Sequence, residues 1–431
     1  MKAQAIERTP AEAALTRQFE AADGVGVSPR RAKAFSRFAE RGLPTRRIES
    51  WHYTDLRSIV KDASPVASTP NPALIDSARA LLTGCKPVGA GRLVLLNGRL
   101  VPELCESLPA DAVFERRELP SAGVNDAIVD LNEAMSVDAG ILKVADGAAI
   151  AEPIEIMHVA LADQPSAIYS RLAVRVGQGA QVSIVETFLG ANPKVQRNAS
   201  LSLVVADKAK VRLVSAIDDG ADLHIESQMA RLGSDAELNA FALVAGGNVS
   251  RRQLFIALEG ENARLTLGGL TLLEGARRAD TTLQVNHKAR SGASREYYGA
   301  IVADEGAGVF QGKIVVEKEA QKTDGSMKSQ AVLLSPRAQM SAKPELEIFA
   351  DDVACGHGAT IGSLDPEQLF YLLARGIGKD EAESMLLEGF GRQAIDRIED
   401  GRLGEWLQAP FRRWLVSGRR RLPTGEARAL S

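Results

Sequence analysis

The sequence predicts a mainly β protein, a parallel β-helix flanked by helical segments on both sides. Three observations lead there. Short β-prone runs fill the middle of the chain, one turn pattern recurs between them, and helical periodicity is confined to the flanks.

Residues 1–85 form the first helical unit. "PAEAALTRQFEAA" and "SPRRAKAFSRFAERG" place apolar residues at helical spacing, and the second has Ser28 as N-cap, Pro29 at the first helical position and Gly42 as a stop. "ESWHYTDL" continues the unit, and the Pro- and Ser-rich "ASPVASTPNP" links it to one more short helix near residues 72–82.

Residues 86–363 carry the strands, among them "IEIMHVAL", "SLSLVVA", "KVRLVSAI", "EYYGAIVA" and "GKIVVEK". Between the runs, "GQGAQV", "ADKAKV", "GSDAEL", "GENARL", "DEGAGV" and "SPRAQM" repeat a polar turn, an alanine, one residue and an apolar residue. The alanines are Ala180, Ala209, Ala236, Ala263, Ala307 and Ala338, spaced 29, 27, 27, 44 and 31 residues by subtraction of their numbers. A stacked coil must set its corner at the same place each time, and only a small side chain fits a tight inner corner. The pattern therefore favours a solenoid over a β-sandwich, whose turns need not recur. The 44-residue interval is expected to hold a coil with an extra loop, within "LLEGARRADTT".

Residues 364–431 return to helix. Asp365 is the N-cap, Pro366 opens the first helix, and Leu369, Phe370, Leu372 and Leu373 precede Gly376. A second helix starts at Lys379 or Asp380, and a third carries "GEWLQAPFRRWLV". So short a bundle has more apolar residues than it can bury alone, so part of one face is expected to dock on something else. The basic residues Arg412, Arg413, Arg419, Arg420 and Arg421 complement the dipole at the end of the last helix.

Composition excludes several functions. A net charge of −3 supplies no electrostatic reason for nucleic-acid binding, and no apolar run is long enough to span a bilayer. Three widely spaced cysteines make no disulfide framework, and "MKAQAIERTPAEAALTRQF" lacks the apolar core of a signal peptide, so a reducing, cytoplasmic location is expected. "LLARGIGKD" is not a P-loop, because Asp380 stands where a magnesium-binding Ser or Thr belongs and Leu373 where the first glycine belongs. No dinucleotide fingerprint or serine nucleophile elbow is present. His224 and His287, in strand-like surroundings, are expected to be structural.

"DDVACGHGATIG" holds the one suggestive pair, Cys355 and His357. Residues two apart on a strand face the same way, roughly 6.6 Å apart, within reach of one metal or cluster. Structural zinc and iron-sulfur clusters want four ligands, and no further Cys or His stands at a helpful spacing. The pair is either idle or half of a site that another polypeptide completes. Its place, where the solenoid stops and an open edge must be covered, favours the second.

"KPELEIFADDVACGHGATIGSLDPEQLFYLLARGI", "RRIESWHYTDL" and "GKIVVEKEAQKTDG" closely resemble the SufD family of the SUF iron-sulfur cluster assembly machinery. The resemblance implies a right-handed parallel β-helix between helical domains and pairing with a SufB-like subunit through the β-helix ends. It also implies binding of a SufC-like ABC ATPase through the last helices, and a transient iron-sulfur cluster shared with the SufB-like subunit. Carried onto this chain, His357 is the metal ligand and Cys355 an assisting thiol, acting as ligand or as sulfur relay. Leu369, Phe370, Leu373, Met385, Leu386 and Phe390 are the candidates for the ATPase-facing surface. A homodimer is expected when the SufB-like partner is absent. The family's complex is associated with a reduced flavin, for which this sequence carries no fingerprint. The competing readings are a structural adaptor with no metal role and, further off, a carbohydrate-active β-helix enzyme, whose clustered acidic and basic residues are absent.

Overall fold

The computed structural model describes residues 8–23 and 27–419, so Arg420 and Arg421 lie outside the described residues. Nineteen strands among the described residues form two facing sheets, one of ten strands and one of nine. From the fourth strand on, successive strands alternate between the sheets, and from the fifth on each pairs in parallel with the strand one full coil earlier. The chain therefore winds as a flattened parallel solenoid.

The repeat comes from one corner. Gly179, Lys208, Asp235, Asn262, Ser291 and Lys322 all adopt left-handed backbone, with φ of 55–67°. Five of the six are not glycine, a conformation that costs about 1 kcal/mol or more each. The compensation is a ladder: Lys208 N–H donates to Ser234 O at 2.8 Å, Asp235 N–H to Glu261 O at 2.8 Å and Asn262 N–H to Arg290 O at 3.0 Å, each bond tying one coil to the next. The residue after the corner turns inward and is fully buried at Ala180, Ala209, Ala236 and Ala263, which is why the pattern demands a small side chain.

The expected extra loop is not there. At this corner the next two coils carry Gly292 and Thr323 in place of alanine, as the pairings Arg264 with Ala293 and Ala293 with Asp324 require. Ala307 and Ala338 belong to the opposite corner, where Ala307 pairs with Arg278 and Gln339. "LLEGARRADTT" is an ordinary turn between strands Arg264–Leu273 and Arg278–His287.

Apolar side chains from both sheets fill the coil, such as Ile184, Leu213 and Leu267 facing Leu203, Leu232 and Leu283. Each contributes about 1.5–3 kcal/mol by burial. A polar network interrupts this core. Arg252 Nε donates to Glu226 Oε2 at 2.7 Å and its Nη2 to Gln228 Oε1 at 3.2 Å. Gln228 Nε2 also reaches Glu186, whose other oxygen lies 2.8 Å from His158 Nε2.

Helices α1 (Pro10–Asp23), α2 (Pro29–Arg41) and α3 (Leu56–Ile59) cover the nine-stranded sheet together with α5 (Ala127–Met135). Ser28, Pro29 and Gly42 occupy the positions in α2 that the sequence assigns to them. All nine residues of α5 are buried, so it has no polar face to betray it in the sequence. Its Asp130 and Glu133 are met by Arg37, Arg41 and Arg171. Trp51 locks the assembly: its indole N–H donates to Asp126 Oδ2 at 3.0 Å, and the Arg251 guanidinium lies 3.8 Å above its ring. Helix α4 (Pro72–Thr83) covers the first strands of the ten-stranded sheet.

At the other end, α7 (Lys379–Ile395) and α8 (Gly401–Arg419) lie on the outer face of the ten-stranded sheet. Leu387, Ile395, Leu403, Leu407 and Phe411 share one core with Val214, Phe241, Leu243, Leu270 and Ile301. For these two helices, the surface that receives the surplus apolar residues is the solenoid itself. Helix α6 (Pro366–Ala374), capped by Asp365, buries no residue. No helix among the described residues is long and apolar enough to cross a membrane.

Candidate functional site

The solenoid ends on two edge strands, Gln339–Ile348 and Ala354–Gly362, each hydrogen-bonded on one side only. Their side chains lack the cover that earlier coils provide, and Phe349 and Ile361 are exposed. Such an edge presents unpaired N–H and C=O groups, ready for another strand.

Cys355 and His357 sit on this last strand. Cys355 lies beside Gly325, itself beside Ser294; His357 lies beside Met327, itself beside Glu296. Met327 is buried in the coil's core, so this face of the strands points inward. Cys355 and His357 thus share the inward face, as their spacing predicts, and no further coil covers them. Cys355 is half-buried, with its Sγ 3.4 Å from where a Cβ on Gly325 would stand, and Ser294 Oγ is 3.5 Å from the same point. The missing Cβ lets the thiol look down on the serine hydroxyl. Burial pushes the Cys355 thiol up from its ordinary value, the Gly325 backbone partly opposes this, and Asp324 and Glu296 add to the rise.

The inward file changes character toward this end. One register runs Val182, Val211, Leu238, Leu265, Ser294, Gly325, Cys355, and the next Ile184, Leu213, Ala240, Leu267, Glu296, Met327, His357. Glu296 is the first charged residue in its file. It is 3% exposed, and neither carboxyl oxygen has a hydrogen bond of good geometry. Burial pushes its carboxyl up to about 8, against weaker opposition from Ser294 and Arg295. The sequence reading missed Glu296. Its signal is position: it stands four residues after the corner residue Gly292, as Leu267 does after Ala263.

A folded-state value near 8 against an ordinary 4.5 means that Glu296 supports folding below about pH 4.5 and loses that support as pH rises toward 8. Glu296→Gln, which keeps the neutral shape, is expected to match wild type near pH 4 and to exceed its stability at pH 7 by on the order of 3 kcal/mol. Urea unfolding at both pH values checks this, and a variant less stable than wild type at pH 7 would contradict it.

No group of three or more His, Cys, Asp or Glu among the described residues could hold a metal ion. Cys355 and His357 share the strand's inward face without a third such group beside them among the described residues. His224 and His287 are buried inside the solenoid, and burial pushes His287 down to about 4, with its Nε2 3.0 Å from Ser294 Oγ.

The six candidates on the last helices divide. Phe370, Leu373 and Met385 are exposed at 70%, 39% and 47%, whereas Leu369 and Leu386 are half-buried. Phe390 packs against the solenoid, 3.4 Å from where a Cβ on Gly299 would stand. Tyr371, which the sequence reading omitted, joins the exposed group beside Phe370, with Arg375 stacked on its ring at 4.6 Å.

The family model described as "SUF system FeS cluster assembly, SufBD core domain" matches residues 158–390. The chain is 29% identical over 410 residues to the iron-sulfur cluster assembly protein SufD of Escherichia coli, covering 93% of this chain and 96% of that protein. It is 29% identical to an iron-sulfur cluster assembly SufBD family protein of Synechocystis over 83% of this chain and 84% of that one. It is 25% identical to SufD of Bacillus subtilis over 62% of each chain.

Proposed function

The chain belongs to the SUF system FeS cluster assembly family defined by the SufBD core domain, and from that membership we propose that it is a scaffold subunit with no turnover chemistry of its own. Its place in iron-sulfur cluster assembly follows from the family. The finer reading assigns residues 1–85 to an N-terminal helical domain, 86–363 to the β-helix and 364–431 to an ATPase-binding domain.

In this reading the open edge of the solenoid pairs with a SufB-like subunit, and Cys355 and His357 supply half of a donor set that the partner completes. The cluster is cargo, held transiently between the two. A neutral imidazole suits that task, being a serviceable but exchangeable iron ligand. A SufC-like ABC ATPase engages the exposed Phe370, Leu373 and Met385, and movement of the ATPase subunits passes through the last helices to the edge. Without the SufB-like subunit, the same edge is free to pair with a second copy of the chain. The subunit works in the cytoplasm, away from membrane and nucleic acid.

One observation carries this proposal: an inward-facing Cys and His on a terminal strand paired on one side only, with no third donor nearby among the described residues. Co-expression with SufB-like and SufC-like partners and anaerobic purification tests it. His357→Ala is expected to leave the complex assembled but strip most of its iron and sulfide. Unchanged iron and sulfide would make the histidine structural and the subunit an adaptor for the ATPase.

A further inference from the structure

A graded row of side chains crosses the outer face of the nine-stranded sheet. Ser202, Met229, Phe255, Gln284, Lys313 and Glu345 stand side by side on successive strands. Their chain neighbours Leu203, Ala230, Leu254, Leu283 and Ile314 fill the solenoid core, so the row points outward. It runs roughly 24 Å at the usual strand spacing and ends on the open edge strand Gln339–Ile348.

Two hollows lie along the row and meet at Phe255. The inner one, about 370 Å³, is walled by residues 119–124 and is largely apolar, with Met229 buried and Val204 exposed. The outer one, about 220 Å³, is walled by residues 48–50 and lined by polar side chains, among them Gln253, Thr282 and Gln311. Gln253 is 2% exposed; its Nε2 donates to Asp126 and Ser227, and its Oε1 meets no donor among the described residues. Arg251 Nε, two residues earlier on the same strand, meets no acceptor among them. Leaving a buried acceptor and a buried donor open is costly, and one residue of an extended chain offers an N–H and a C=O on the same side.

Charge is unbalanced at both ends of the row. At the edge, three carboxylates share two lysines: Lys343 lies 3.1 Å from both Glu49 and Glu345, and Lys313 pairs with Glu347. At the inner end the excess reverses, because Arg231 at 2.7 Å and Lys288 at 3.7 Å meet the single carboxylate of Glu259. An extended chain of about seven residues spans the row and meets both ends.

We propose that this trough receives an extended segment of the subunit that docks on the open edge. The proposal rests on the reading of that edge as a subunit interface: a segment leaving the partner beside Glu345 runs directly into the row. The row sets the segment's chemistry. A basic residue lies at the edge, an exposed peptide group over Gln253, a bulky apolar residue against Met229 and Phe255, and an acidic residue between Arg231 and Lys288. The trough thereby selects which partner the edge accepts, since strand pairing by itself reads backbone more than side chains.

The complex co-expressed with SufB-like and SufC-like partners tests this. A photo-crosslinking benzoylphenylalanine in place of Val204 is expected to join one contiguous segment of the SufB-like subunit on irradiation, identified by mass spectrometry of the digested complex. Adding Lys288→Glu, which reverses the excess charge at the inner end, is expected to cut the cross-link yield about fivefold, and Lys288→Arg to leave it unchanged. In an assembled complex, no cross-link, or one to this chain, to the ATPase or to a small molecule, overturns the trough's occupant and leaves the edge reading standing. A yield indifferent to Lys288→Glu overturns the charge match and the assignment with it. Failure of the SufB-like subunit to associate at all overturns the edge reading and the trough together.

Discussion

Arg252→Met is expected to lower the unfolding free energy by about 3–5 kcal/mol, because it strands a buried carboxylate. Arg252 and Glu226 are almost completely buried and joined at 2.7 Å, and Glu186 adds a second carboxylate to the same network through Gln228. Burial raises the Glu226 carboxyl and Glu186 adds to the rise, while Arg252 and, more weakly, His158 lower it, so removing the guanidinium leaves the raising influences dominant. The folded variant must then take up a proton, and its deficit should shrink as the pH falls. Arg252→Met combined with Glu226→Gln should recover more than half of the loss, since a neutral pair no longer strands charge. Guanidinium unfolding at pH 5 and pH 8 for both variants checks this; a single variant within 1 kcal/mol of wild type at pH 8 would show that the pair carries little weight.

Trp51→Ala is expected to cost about 3–5 kcal/mol as well, by a different route. The substitution opens a cavity under α2 and α5, removes the ring beneath the Arg251 guanidinium, and takes one donor from Asp126, which also caps α5 through Ile128 N–H at 2.8 Å. Because the loss is confined to the join between the N-terminal helices and the nine-stranded sheet, proteolysis should cut first within residues 27–60. Trp51→Phe keeps most of the apolar volume and should lose less than half as much. Equal stability of Trp51→Ala and wild type would show that the helices dock by other contacts.

The solenoid was legible because its corner imposes chemistry on the sequence. A left-handed residue followed by a buried small one recurs wherever a coil closes. The reading faltered where the rule relaxed: Gly292 and Thr323 satisfy the corner as well as alanine does, and an alanine search then slid to the opposite corner at Ala307. Helix α5 escaped because a helix buried on every side has no amphipathic period. The Cys355 and His357 pairing was legible from their spacing, since a strand puts alternate residues on one face. Glu296 was not, because an isolated Glu in a β-run looks like a solvent-facing residue until its coil is counted from the corner. The division among the last helices, with Phe390 on the solenoid and Phe370 in solvent, depends on how α7 lies on the sheet, and helical spacing alone carries no information about that.

The corner ladder also makes the length of this body a quantised property. Each coil adds about 4.8 Å along the axis and consumes 27–31 residues from one left-handed corner to the next. Differences of a few residues between coils are absorbed in the turns and leave the ladder intact, and loss or duplication of a whole corner-to-corner segment keeps every remaining bond. A lineage could therefore change the distance between the N-terminal helices and the open edge only in steps of one coil. Any machine that grips the edge at one end and the flanking helices at the other fixes how many coils its subunits carry.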